Sequence, residues 1–568
     1  MKKRVRSFKQ IWSVLLVFFK PTYRKLLLII GVSFVVRLVV YGYIKIPWII
    51  FDEYIYLDTA RQIVRSNFLS QLSRDPQLYP PGWPLFLAAF TGFIKNPLVQ
   101  YKISLIGTML ISSLIPFLVF WLSGSLWVSL LVAFYPPLFI YSSNIMSETL
   151  FIFMLLALIT ALKFIVRDDL NKRGSLFLAA VILGLFIYFT RIIRSFGIIL
   201  LPAFALAVLL VIYFQYRAQS FNRLKSLVYF SLLTVFFYYV WNYLSRLLFL
   251  PDKGFYEKTT YIDSFIKGLM QPRFSFTLLR NEITLSLYWL FFVLPIFSYF
   301  EFRKEWHKKE WYLLLPRLWT IFIFGFSLLL TFAHMFIGTA RNPQYLVFSR
   351  YLDPALVLLF VYGATDFLKY FQTASAKLKI HPAIWLVLAY FVYYFIFKLP
   401  KLDYKFGNTM SVYFFLLFKE QAWLSWILVA LVGFIVYSII KNQRFWLLSG
   451  LLIFFVWTTL FAINNTLSTP TWVMAKYQKV INEWDLALSN YQTADIPICI
   501  HKDGISSETY YLYHFLYPYQ YLKNCDSYDN KPRRILTRKN HRFALPSNCS
   551  LDFRFTSQES IIYCPLGY

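Results

Sequence analysis

Long apolar runs, each close to the length of a bilayer crossing and separated by short basic loops, constrain this chain more than any motif in it. Of its 568 residues, 58% are hydrophobic, more than a soluble domain of ordinary composition carries. A run of roughly 17–25 apolar residues crosses a bilayer as a helix, because a helix satisfies each backbone N–H and C=O within itself. The fold class that follows is an all-α polytopic membrane protein.

Crossings are predicted at about 26–44, 103–122, 126–141, 149–166, 175–189, 196–214 and 226–243, then at about 283–300, 318–337, 351–368, 384–397, 422–440 and 445–463. The loops test this count of about thirteen. With the basic N-terminus in the cytoplasm, Arg167, Lys172, Arg173, Arg217, Arg223 and Lys225 all fall inside. So do Arg303, Lys304, Lys308, Lys309, Lys369, Lys377, Lys379, Lys441 and Arg444, as the positive-inside pattern requires. The same pattern accounts for much of the net charge of +30 without nucleic acid as a partner.

Three regions follow. Residues 1–25 read as a cytoplasmic basic segment with an interfacial helix at 11–19, since no small-residue cleavage site follows that stretch. Residues 26–463 form the membrane domain, whose first outer loop, 45–102, holds two membrane-surface helices. Residues 464–568 are polar enough for a small extracytoplasmic domain. It holds all four cysteines, Cys499, Cys525, Cys549 and Cys564, which favours two disulfides with three connectivities open.

Ionisable groups at a membrane boundary are expensive to keep there, so their default reading is functional. Asp52 and Glu53 stand directly after the first crossing, and Asp52 is placed to cap the helix that follows. Tyr79 opens the run Tyr79-Pro80-Pro81-Gly82-Trp83-Pro84. Glu148 begins the fourth crossing, where a plain helix-dipole role is the alternative. Arg191 and Arg194 end the fifth; at i,i+3 spacing they share a helix face and suit either a phosphate or interfacial snorkelling. His334, Arg341, Arg350 and Tyr351 surround the loop before the tenth crossing. Histidine there more often packs than catalyses. Lys531, Arg533, Arg534, Arg538 and Lys539 read as a solvated basic loop. Arginines clamp phosphate as planar forks and a carboxylate takes a proton, which suits chemistry on an anionic, lipid-borne substrate.

In this order, the acidic pair, the Pro-Pro-Gly-Trp-Pro run, Ser147-Glu148, Thr190-Arg191 and Arg350-Tyr351-Leu352-Asp353-Pro354 resemble the GT-C superfamily of membrane glycosyltransferases. The nearest branch is that of the protein O-mannosyltransferases and the lipid A aminoarabinose transferase. The resemblance spans residues 26–368 and implies a polyprenyl-phosphate-linked sugar donor, an extracytoplasmic acceptor (lipid, glycan or protein) and inversion at the anomeric carbon. It implies Asp52 as base, with Glu53 orienting the acceptor or an ion. Tyr79, Glu148, Arg191, Arg194, Arg350 and Tyr351 would bind substrate, with Arg191 and Arg350 on the departing phosphate. Arg194 falls outside the shared pattern. No organic cofactor is expected; a divalent cation could sit on Asp52 or Glu53, though no spacing demands one. A lipid-linked oligosaccharide polymerase or ligase, and a transporter or flippase, are the rival readings.

Overall fold

The computed structural model describes residues 21–48, 50–65, 80–167, 173–217, 221–248, 311–338, 349–373, 423–441 and 443–491, residues 266, 270 and 393, and four strands between 498 and 564. Helix α1 (Pro21–Tyr41) is followed by α2 (Ile50–Arg65) and α3 (Gly82–Thr91) of the first loop. Then come α4 (Pro97–Ser123), α5 (Leu126–Ala133), α6 (Pro136–Tyr141), α7 (Ser147–Arg167) and α8 (Arg173–Ile193). Next are α9 (Leu200–Arg217), α10 (Phe221–Leu248), α11 (Trp311–Gly338), α12 (Asp353–Thr373), α13 (Trp423–Ile440) and α14 (Arg444–Tyr491). Short 3-10 turns, Ser195–Ile199 and Ser349–Tyr351, precede α9 and α12.

Among the described residues, six helices are long and apolar enough to cross a membrane, and each falls on a predicted crossing. The crossings expected at 283–300 and 384–397, and the interfacial helix at 11–19, lie outside the described residues. Large apolar side chains such as Leu28 and Val39 point outward, 66% and 77% exposed, as lipid-facing residues do. Inside, α4 packs on α1 and α7, α8 on α7 and α10, and α12 on α7 and α11. Trp83, Tyr101, Tyr135, Phe139, Tyr141 and Trp319 are fully buried in the apolar core they share.

Local sequence explains the helix ends. Asn96 starts α4 by accepting from the N–H groups of Leu98 and Val99 at 3.0 and 3.1 Å, while Pro97 supplies a preset first turn. At its far end Gly124 takes a left-handed φ of 71°, and Ser125 caps α5 through the N–H of Val128 at 3.4 Å.

The crossing expected at 126–141 is broken. Pro136 and Pro137 lack the N–H groups that would carry α5 onward, so the chain stops at Phe134-Tyr135 and restarts as α6. The carbonyls near the break are satisfied from other helices: Arg37 donates to Ala133 O at 3.1 Å, and Thr459 to Phe134 O at 2.7 Å.

Helix α14 runs on past residue 463 to Tyr491. Its apolar part ends where the crossing was predicted to end, but helical periodicity continues beyond. Thr471 Oγ1 lies 3.4 Å from Tyr43 Oη, just past α1, which puts this extension at the same end of the bundle as α2.

The tail adds a sheet to the helical bundle, in the order β1-β2-β4-β3: β1 (Ile498–Ile500), β2 (Arg533–Arg538), β3 (Ser550–Arg554) and β4 (Glu559–Cys564). Strand β1 is parallel to β2, and β4 is antiparallel to both β2 and β3. Cys499 is in β1 opposite Ile535, and Cys564 in β4 opposite Arg533.

Candidate active site

Four separate segments deliver charged side chains to one end of the bundle. Asp52 lies in the first turn of α2 and Glu148 in the first turn of α7. Arg194 follows the end of α8, and Arg350 sits in the 3-10 turn before α12. Arg350 donates from Nη1 and Nη2 to Asp52 Oδ2, each at 3.2 Å, and from Nε to Glu148 Oε1. Arg194 Nη1 approaches the same Oε1 to 2.8 Å, but is not aligned for a hydrogen bond. Glu148 is fully buried, and its Oε2 has no hydrogen-bond partner.

The electrostatics follow from the packing. Burial opposes the charge of Arg350, but Glu148 and Asp52 outweigh it and move its pKa well above the usual guanidinium value. Tyr56 is one turn after Asp52 on α2, and its hydroxyl lies 3.4 Å from Ser147 Oγ. Burial, with Asp52 and Glu148 nearby, raises its pKa above the ordinary phenol value, so it stays a neutral hydroxyl. Tyr351 stacks on Phe196 at 5.8 Å, and the Arg194 guanidinium lies 5.0 Å from the centre of the Tyr351 ring.

Glu53 faces another way. Its Oε2 accepts the Trp48 N–H at 2.9 Å; its Oε1 accepts the Ile145 N–H at 2.7 Å and the Tyr101 hydroxyl at 3.5 Å. It is fully buried and ties the chain before α2 to the chain before α7. Successive helix positions differ by about 100°, so the two neighbouring carboxylates diverge. Among the described residues no three His, Cys, Asp or Glu side chains gather as metal ligands.

Two local expectations are corrected. Asp52 does not cap α2, which already begins at Ile50; it is a first-turn acid, suited to the helix dipole. Arg191 and Arg194 do not share a helix face. Helix α8 ends at Ile193 and Arg194 is extended, with φ −150° and ψ 138°. Its side chain goes to Glu148, whereas Arg191 turns to Tyr238 and Asn242 of α10.

The Pro-Pro-Gly-Trp-Pro run places α3 against the end of α8. A Cβ on Gly82 would lie 2.7 Å from the backbone of Ile192 and Ile193, so only glycine permits this approach. Trp83 is fully buried and donates to Ile145 O at 3.2 Å. Tyr79 and Arg341 lie outside the described residues, and His334 lies in α11. Tyr56 and Tyr141 escaped the sequence reading. Tyr141 donates to Asp353 Oδ2 within the Arg-Tyr-Leu-Asp-Pro run. Four-residue spacing from Asp52 was the available signal for Tyr56; none marked Tyr141.

No protein-family model matches the chain, and no curated protein matches it by sequence. Its three-dimensional arrangement does match solved structures. The crystal structure of ArnT from Cupriavidus metallidurans bound to undecaprenyl phosphate superposes with a TM-score of 0.50 at 12% identity, over 94% of this chain and 97% of that one. The apo structure of the same protein gives a TM-score of 0.50 at 12% identity, over 96% and 98%. The chain is therefore a multi-pass membrane protein that shares its overall fold with these two structures.

Proposed function

We propose that this protein is a glycosyltransferase that moves a sugar from a polyprenyl-phosphate-linked donor to an acceptor on the extracytoplasmic face. The observation that carries this reading is the convergence of Asp52, Glu148, Arg194 and Arg350 from four distant segments, within a fold like that of a protein crystallised with undecaprenyl phosphate. The N-terminus is placed in the cytoplasm and the tail outside, because the basic loops then alternate correctly.

The chemistry needs a base and fixed positive charge, but no general acid, since a lipid phosphate leaves readily as an anion. Asp52 takes the proton of the acceptor hydroxyl or amine as its oxygen or nitrogen attacks the anomeric carbon. The carbon–oxygen bond to phosphate breaks on the opposite side, which inverts that centre. Arg194 and Arg350 hold the phosphate where its negative charge grows. Glu148 aims both guanidiniums, and the Tyr351–Phe196 stack supports Arg194. Glu53 holds the start of α2, and with it Asp52, against the α6–α7 connection.

The test is Asp52→Asn in purified protein, assayed for sugar release from undecaprenyl-phosphate-linked donors. Loss of turnover with donor binding intact is expected. Undiminished turnover removes Asp52 as the base.

A further inference from the structure

We propose that Arg191 forms a second lipid-phosphate site, on the bilayer side of the bundle between α8 and α10 and separate from the Asp52–Arg350 cluster. Arg191 is half-buried in the last turn of α8. Its Nη1 donates to the Tyr238 hydroxyl and, at 3.3 Å, to Asn242 Oδ1, and its guanidinium lies 5.8 Å from the centre of the Tyr238 ring. Every one of these partners is neutral. Among the described residues no carboxylate reaches Arg191, whereas Arg194 meets one and Arg350 two.

A half-buried cation at a membrane boundary needs a counter-charge. The carbonyls ending α8 supply part of it, equivalent to roughly half an elementary charge along the helix axis. Among the described residues no side chain supplies the rest, and an anion available at that depth is a lipid phosphate. The guanidinium suits it: Nη1 is anchored by phenol and amide, and the remaining N–H groups form a planar fork. The surroundings suit a lipid as well. Tyr239 and Tyr243 are 56% and 62% exposed on the same helix, as an aromatic belt at headgroup level would be.

The ligand class is a phosphate ester or phosphate on an acyl or prenyl chain. Arg191 lies three residues before Arg194, so a lipid-linked donor held there waits beside the reaction cluster. That staging role rests on the function proposed above; the phosphate site itself does not.

The experiment is native mass spectrometry of the full-length protein from phosphatidylcholine nanodiscs, titrated in one arm with undecaprenyl phosphate and in the other with phosphatidylglycerol. Arg191→Gln is expected to bind one phosphate lipid fewer, or to weaken one binding step about tenfold or more, while Arg191→Lys keeps it. Loss confined to the undecaprenyl arm identifies a donor station; loss confined to the phosphatidylglycerol arm identifies a phospholipid site. Should Arg191→Gln fail to fold, Asn242→Asp neutralises the cation in place and is expected to give the same loss. Equal binding by the wild type and these variants in both arms overturns the proposal. A wild type without transferase activity whose binding still depends on Arg191 would defeat the proposed function and leave this site standing.

Discussion

Asp52 and Arg350 stand 298 positions apart in sequence, yet both terminal nitrogens of Arg350 donate to a single oxygen of Asp52. The third guanidinium nitrogen donates to Glu148. One side chain thus joins the first loop, the start of α7 and the start of α12. Lysine carries the same charge but cannot span two carboxylates with a planar fork. Arg350→Lys is expected to lower kcat by about 100- to 1,000-fold with the fold intact, read as turnover at saturating donor. A loss of less than tenfold would take Arg350 away from the reacting charge.

Glu53 differs from its neighbour, because its oxygens already hold two backbone N–H groups and a phenol. Glu53→Gln turns one acceptor into a donor facing a donor. The variant is expected to lose about 1.5–3 kcal/mol of stability, seen as a lower Tm in detergent. If Tm holds and kcat alone collapses, Glu53 meets substrate instead.

Gly82 tests how closely α3 must approach α8. Gly82→Ala puts a methyl into the backbone of Ile192 and Ile193, directly before Arg194. Reduced activity together with reduced thermal stability is expected, with Gly107→Ala, where no atom lies within 4 Å of the added carbon, as the neutral control. Equal behaviour of the two variants would show that α3 can shift without consequence.

Arg317 and Asp366 form a buried, two-pronged ion pair between α11 and α12, at 2.5 and 2.7 Å. Asp366→Asn removes the buried charge that faces Arg317, and should cost about 3–5 kcal/mol. Replacing both, as Arg317→Met with Asp366→Leu, should recover most of that loss. Unfolding curves of the single and double variants decide the matter; additive losses would mean the two residues do not act as a pair.

Much of the bundle was legible because lipid imposes length and hydropathy on each crossing: 103–122 became Pro97–Ser123 and 149–166 became Ser147–Arg167. The expected crossing at 126–141 failed where hydropathy was blind to Pro136-Pro137, whose missing donors outweigh an unbroken apolar run. The candidate site was legible in kind rather than in partnership. Asp52, Glu148 and Arg350 were readable as charges at one face. That Arg194 rather than Arg191 meets Glu148 depends on where α8 ends, and helix ends are the least readable feature of a sequence. Glu53 was expected to orient the acceptor or an ion; that it holds the N–H groups of Trp48 and Ile145 depends on how the connections before α2 and α7 meet. Arg317, just before the crossing expected at 318–337, and Asp366, inside the one expected at 351–368, were not singled out, because their pairing depends on how two crossings pack.

The 48 residues of α14 amount to roughly 72 Å of helix, more than twice the ~30 Å hydrocarbon thickness. Its Thr459 is fastened to the Phe134 carbonyl inside the bundle, and its Thr471 meets Tyr43 near α2. Helix α14 therefore fastens the interrupted third crossing to the chain that leads into α2.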